Sequence, residues 1–373
     1  MPGNTLSMRH AFSIIMLIQI SNSIIIGYPD TGGPETWISL LISAVFITPL
    51  MMLYARLIRL LPGTDLYGMM RFAFGKWGNW IFSVFYAFYF LTLSGLVRGN
   101  YAEFIHLTSL YQTSFIIICL AFFVVCVHLA IKGPPILGRW CFIMLLLAGS
   151  SILILSLLSI GNMQLKNLLP LKEEGPGGLI YNALRFIPLP LAESVMFLGI
   201  ANHLDRSVNP YKLFIFSNFS SVLFFIILFL LSCSILSWDT LTAMYFPSYK
   251  AASVIHVGSI GTRIESIMSF MFVLSGISKV SLALTNGAKA VQHIFFLKKY
   301  KPLLLSIGFF SVALSAIVFV NIIQMFDFMH YYLIYAIPFQ VLIPFFLWLV
   351  IEIKVKKQKK FPPAGKTEAL QEL

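Results

Sequence analysis

The sequence is poor in charge. Only 11% of its 373 residues are Asp, Glu, Lys or Arg, and just 14 of them are acidic. A soluble domain devotes about a quarter of its residues to charge, so a water-facing globular surface is excluded. Cysteine is equally scarce: Cys119, Cys126, Cys141 and Cys233 all fall inside apolar runs. They show neither disulfide nor metal spacing and read as small core side chains. No nucleophile–base pair or metal constellation is legible, so an enzyme is not expected and no cofactor is called for. Long linkers, low-complexity tracts and soluble domains are also missing. The polar residues 1–10 run into an apolar segment without a small-residue cleavage site, so no cleavable signal peptide is expected.

What the chain has is apolar length, at 58% hydrophobic residues. Runs of about 20 such residues, the length that crosses a bilayer as a helix, recur ten times. They lie near 8–28, 36–58, 79–106, 113–131, 140–160, 180–202, 211–237, 264–288, 303–323 and 331–353. The chain is therefore expected to be one all-α membrane domain, 1–353, followed by a basic tail, 354–373. The net charge of +12 is distributed with a bias. Arg9, Arg56, Arg59, Arg71, Lys76, Lys132, Arg139, Arg206, Lys212, Lys298, Lys299, Lys301 and the tail lysines alternate onto one side. That side is cytoplasmic by the positive-inside rule, which puts both termini there, as an even span count also requires. Basic residues that flank spans suit anionic lipid rather than nucleic acid.

The most informative stretch runs Arg185-Phe-Ile-Pro-Leu-Pro-Leu-Ala-Glu193. Each proline removes a backbone donor and clashes with the preceding turn, so the helix must kink or open. Freed carbonyls at membrane depth face only protein or a wet cavity. An acid at that depth marks a site by default. A discontinuous sixth span beside a midplane cavity accounts for both features. A proline-kinked structural helix, with Glu193 paired to a neighbour, accounts for them as well.

Span 1 carries Gln19, Ser21, Asn22 and Ser23 midway. These side chains suit either an opened turn with a ligand or plain helix–helix hydrogen bonding. Spans 1 and 6 head two five-span halves, the correspondence that a 5+5 inverted repeat predicts. Span 8 places Lys279 fifteen residues from one span end and nine from the other, with Ser275 one turn before it. A lysine that deep needs a carboxylate, a carbonyl or water. Span 3 holds Arg98 and Glu103, which either meet partners on other helices or snorkel to the interface. The Pro- and Gly-rich loop 162–178 reads as an ordered turn region. The segment 238–262 reads as an interfacial hairpin or half-helix.

Further landmarks line up in order: Gly27-Tyr-Pro29, Gly32-Gly-Pro-Glu-Thr-Trp37, Leu60-Leu-Pro-Gly63, Phe74-Gly-Lys-Trp77, and Lys132-Gly133 leading to Arg139. Asn167-Leu-Leu-Pro170, Glu174-Gly175, Pro190 with Glu193, Phe246-Pro247 and Arg263-Ile-Glu265 continue the series. Over about 8–350 this order resembles the B subunit of bacterial spore germinant receptors, the spore permease family of the amino acid–polyamine–organocation superfamily.

The resemblance implies a leucine-transporter-like fold of ten transmembrane helices, with helices 1 and 6 unwound around a small-molecule site. It also implies the inner membrane of the spore, a larger membrane A subunit, a lipoprotein C subunit, and an amino acid or similar germinant. Relatives tend to have Gly-x-Gly where this chain has Ser21-Asn22-Ser23, and serine lacks glycine's freedom at positive φ. On this reading Glu193 holds a ligand ammonium or stabilises the opened helix. Tyr86 and Phe90 pack on the ligand, Gln19, Ser21, Asn22, Ser23, Pro190 and Ser275 line it, and Lys279 stands where related transporters take sodium. Glu193, Lys279 and Arg98 are the candidates for charge coupling. Three roles fit the fold: a nutrient sensor, a proton-coupled amino-acid permease, or a structural subunit with a vestigial pocket.

Overall fold

The computed structural model describes residues 5–26, 32–169, 175–255, 264–318 and 322–360. Those residues are helical apart from turns, loops and one isolated backbone bridge. The chain runs α1 (Met8–Ile26), α2 (Thr36–Leu60), α3 (Leu66–Thr108), α4 (Phe115–Lys132) and α5 (Pro134–Leu158). A 3₁₀ turn (Leu165–Leu168) leads to α6 (Gly175–Arg185), a long 3₁₀ segment (Leu191–His203) and α7 (Pro210–Leu236). The short helices α8 (Trp238–Thr242) and α9 (Pro247–Val254) precede α10 (Ile264–Ile294), α11 (Leu303–Val318) and α12 (Ile322–Ile337). A π-helical turn (Pro338–Leu342) joins α12 to α13 (Ile343–Lys360). Gly27-Tyr-Pro29, residues 170–174, residues 256–263 and the tail beyond 360 lie outside the described residues.

Seven of these helices are long and apolar enough to cross a membrane. Large apolar side chains such as Val45, Trp77, Phe88, Val124, Leu153 and Leu157 are exposed on the outside of the bundle. A water-soluble monomer does not show so much contiguous apolar surface, whereas lipid accepts it. Inside, α3 and α10 form the most extensive helix pair, with α1, the Leu191–His203 segment and the π-helical turn packed around them. Helix α3 begins well before the apolar run at 79–106, because Asp65 caps it by accepting from the Gly68 N–H at 3.0 Å. Gly75, at φ 70°, then breaks its direction. That left-handed backbone is available to glycine at little cost, so a kink falls there.

The interruption of span 6 follows from its prolines. Helix α6 stops at Arg185, and Phe186–Pro190 form turns held by Phe186 N–H to Ala183 O (3.2 Å) and Ala192 N–H to Ile187 O (2.7 Å). The chain then continues as thirteen residues of 3₁₀ helix. Runs of that geometry beyond three or four residues are uncommon and mark strained or functional segments. Its far end is pinned by a short backbone bridge, with Leu6 N–H to His203 O at 2.7 Å and Asp205 N–H to Leu6 O at 3.0 Å.

Span 1 differs from the sequence expectation. Helix α1 is unbroken through Gln19, Ser21, Asn22 and Ser23 up to Ile26, so the polar run does not open it. Serine and asparagine carry the side-chain bulk at positive φ that glycine avoids, which keeps the turn wound. One trace of the expected opening survives: the Tyr101 hydroxyl donates to the Ser21 carbonyl at 2.7 Å. The discontinuity appears instead in the last span, at the π-helical turn that begins with Pro338. Proline cannot donate, so the ladder slips by one residue there.

Candidate functional site

Opening a helix inside an apolar bundle frees backbone carbonyls, and each needs a donor. The broken span 6 obtains them from side chains of other helices. Gln19 of α1 donates through Nε2 to the Leu191 carbonyl and to Ser194 Oγ, both at 3.2 Å. Tyr54 of α2 donates to the carbonyls of Ala192 (3.3 Å) and Gln340 (2.6 Å). From α10, Asn286 Nδ2 reaches Met196 O and Lys289 Nζ reaches Gly199 O, each at 2.8 Å. Gly199 makes the Asn286 approach feasible: a Cβ there would lie 2.2 Å from Asn286 Oδ1.

At the centre of this seam is Glu193, wholly buried. One carboxylate oxygen pairs with Nζ of Lys279, which is also wholly buried. The other oxygen accepts from the Tyr332 hydroxyl of α12 at 2.9 Å. The pair satisfies the requirement that each buried charge find its opposite. It also joins the two best charged candidates from the sequence, Glu193 and Lys279, into one feature. Pro190 sits at the last turn before the 3₁₀ segment.

The other sequence candidates are placed differently. Tyr86 and Phe90 are stacked at 5.5 Å, and Tyr86 donates to the Phe339 carbonyl at 2.9 Å, so Tyr86 braces the π-helical turn with Phe90 packed against it. Ser275 donates to its own helix at Phe272 O (2.7 Å) and borders a small void of about 10 Å³ beside α5 and α7. Ser21 faces inward, buried, near Tyr101. The side chains of Asn22 and Ser23 lie outside the described residues. Arg98 is not at Glu193. It points toward α11 and bonds Ser311 and Ser315. Glu103 is half-buried near the end of α3.

Five contributors were not singled out from sequence: Tyr332, Tyr54, Gln340, Asn286 and Lys289. Pro338-Phe-Gln340 repeats the signature of span 6, a proline followed by a polar side chain within an apolar run, and would have exposed the second break. The Gln340 amide donates to Tyr89 Oη at 2.9 Å, so the π-helical turn is tied to α3 as well as to α2. Tyr54 is the hinge pin of this arrangement, since one hydroxyl serves carbonyls in both interrupted spans. Tyr54→Phe removes the donor to two buried carbonyls and is expected to cost about 1–3 kcal/mol. Thermal unfolding in detergent measures it, and an unchanged melting temperature contradicts the role.

Residues 5–326 match the family model described as "Spore germination protein". The chain belongs to the spore germination protein family. Spore germination protein KB of Bacillus subtilis (strain 168) is 24% identical over 361 residues, covering 95% of this chain and 96% of that one. Among solved structures, the nucleobase-cation-symport-1 family transporter Mhp1, closed with bromovinylhydantoin bound, superposes with a TM-score of 0.68. It is 14% identical and the match covers 90% of this chain and 78% of Mhp1. MhsT in complex with L-phenylalanine gives 0.62 at 11% identity, covering 95% and 90%. This germination-family chain thus has the fold of leucine-transporter-like secondary transporters and is an integral, multi-pass membrane protein.

Proposed function

We propose that this chain is the nutrient-sensing membrane subunit of a spore germinant receptor. In this reading ten spans form two inverted five-span halves in the inner membrane of the spore, with both termini cytoplasmic. The ligand seat lies between α1 and the interrupted span 6. The observation that carries the proposal is the buried Glu193–Lys279 pair at the break. Lys279 there acts as an internal cation, which makes sodium unnecessary.

The polar balance of the seat indicates the ligand class. Gln19 Oε1 and Gln340 Oε1 are buried acceptors without a partner among the described residues, in addition to the Glu193 carboxylate. Surplus acceptors suit a ligand rich in N–H donors, as an amino acid's ammonium is. Such a ligand would compete with Lys279 for Glu193 and would draw on Tyr332, Gln19 and Tyr54 as it seated. Those three side chains belong to three different spans, so occupancy would alter how the spans pack. Binding can signal only through unequal affinity for two arrangements. The A and C subunits would read the favoured one. The structures of MhsT with L-phenylalanine and of Mhp1 with a hydantoin support a small-molecule seat on this fold.

A proton-coupled amino-acid permease is the second reading. The pair itself favours it, since a carboxylate and an amine sharing one proton are a natural coupling element. Two measurements separate the readings. In spores, Glu193→Gln at normal protein level is expected to raise the germinant concentration for half-maximal germination by tenfold or more. An unchanged dose–response would count against any role of Glu193 in sensing. In proteoliposomes, the sensor binds without sustained counterflow, whereas steady amino-acid exchange by this chain alone supports the permease.

A further inference from the structure

Among the described residues, three lysine or arginine side chains are buried in the bundle: Arg98, Lys279 and Lys289. Lys279 is neutralised by Glu193 and Lys289 by Asp65. Arg98 forms no ion pair with any described residue. It is wholly buried, ten residues before the end of α3 at Thr108, or about 15 Å along the helix and so deep in the apolar zone. Arginine does not shed its proton in proteins, so this is a fixed positive charge.

Hydroxyls meet only part of its need. Arg98 Nη2 donates to Ser311 Oγ (2.8 Å) and Ser315 Oγ (3.0 Å) of α11. Ser311 also shares a 2.5 Å hydrogen bond with Ser94, and Ser315 donates to the Gly95 carbonyl at 2.8 Å. Arg98 Nε and Nη1 are buried and have no oxygen or nitrogen acceptor among the described residues; the Cys119 thiol is the further side chain that bonds the guanidinium. The Cys119 and Cys126 side chains of α4 complete the surroundings, and thiols bring no negative charge at neutral pH. Dipoles alone leave the charge uncompensated at membrane depth.

We propose that Arg98 is the heart of a binding site for a small monovalent inorganic anion of chloride size, between α3, α4 and α11. One unpaired cation calls for one negative charge, so a divalent oxyanion would only reverse the imbalance. The surroundings are closely packed, since even a Cβ at Gly95 would lie 3.2 Å from the Leu314 side chain and 3.4 Å from the Ser311 carbonyl, so only the smallest anions come into question and seating one requires these side chains to shift. Nε–H and the Nη1 protons point to different sides of the planar guanidinium, so the anion would be held from one of these sides. The site is separate from the Glu193 seat and stands whether or not that seat binds a nutrient.

The test melts the full-length purified protein in sodium chloride and in sodium isethionate at equal ionic strength. As chloride replaces the bulkier anion, the melting temperature should rise saturably, by roughly 3 °C. Bromide should act in the same way and give an anomalous scattering peak beside Arg98. Arg98→Met, which keeps the length without the charge, should lose the dependence. Should that variant not fold, the bromide peak in the wild-type protein decides. Equal melting in the two salts, a dependence that persists in Arg98→Met, or bromide sites only elsewhere would overturn the proposal.

Discussion

Glu193→Gln and Lys279→Met should each destabilise the protein by about 3–5 kcal/mol, the cost of stranding one member of a buried ion pair. Both side chains are wholly buried, so water cannot enter to compensate the survivor. The double variant should recover much of that loss, since no charge is then left without its opposite. A double-mutant cycle by thermal or denaturant unfolding in detergent measures the coupling. Additive losses would mean that the two groups act independently, contrary to their contact. Tyr332→Phe removes a single neutral donor to Glu193 and should cost less, which ranks the three contacts at the seat.

The second large effect is at the basic end of the bundle. Lys289 Nζ bonds Asp65 Oδ2 at 2.9 Å and Gly199 O at 2.8 Å, linking α10 to the cap of α3 and to the interrupted span 6. Lys289→Met is expected to cost about 3 kcal/mol, because it strands a carboxylate and a carbonyl together. Burial alone would raise the Asp65 carboxyl, but the Lys289 ammonium and the Gly68 N–H outweigh it and hold the group below its ordinary value. A depressed native carboxylate contributes stability above the unfolded pKa, about 3.9, and loses it as pH falls through the native value. Asp65→Asn keeps a capping side chain while removing the charge. Its deficit against wild type should be constant from pH 5 to 8 and shrink below about pH 4. A deficit that grows on acidification would contradict the pairing.

Much of the fold was legible in the apolar runs, and the break in span 6 was legible in Pro188 and Pro190. Depth alone marked Glu193 and Lys279 as sites. Their contact was not legible, because the rotation of an apolar helix leaves no periodic trace from which to decide what faces what. Span 1 shows the limit of reasoning from polar residues. Gln19 satisfies a neighbour's broken backbone, Ser21 bonds its own helix at Ile18 O, and the helix stays intact. The aromatic residues Tyr86 and Phe90 read as ligand platforms, and Tyr86 in addition braces Phe339 in a π-helical turn that the sequence signalled only through Pro338. Two interrupted spans thus face each other across Tyr54, and neither was recognisable as the partner of the other.

The central idea is that Glu193 exchanges Lys279 for a nutrient's ammonium. Thermal shift of purified wild-type protein and Glu193→Gln, run side by side against single amino acids and sugars, tests it most directly. At saturating excess, at least one amine-bearing nutrient should stabilise the wild type by roughly 2–4 kcal/mol and leave Glu193→Gln unmoved. Equal stabilisation of both proteins, or none of either by any amine, would contradict it.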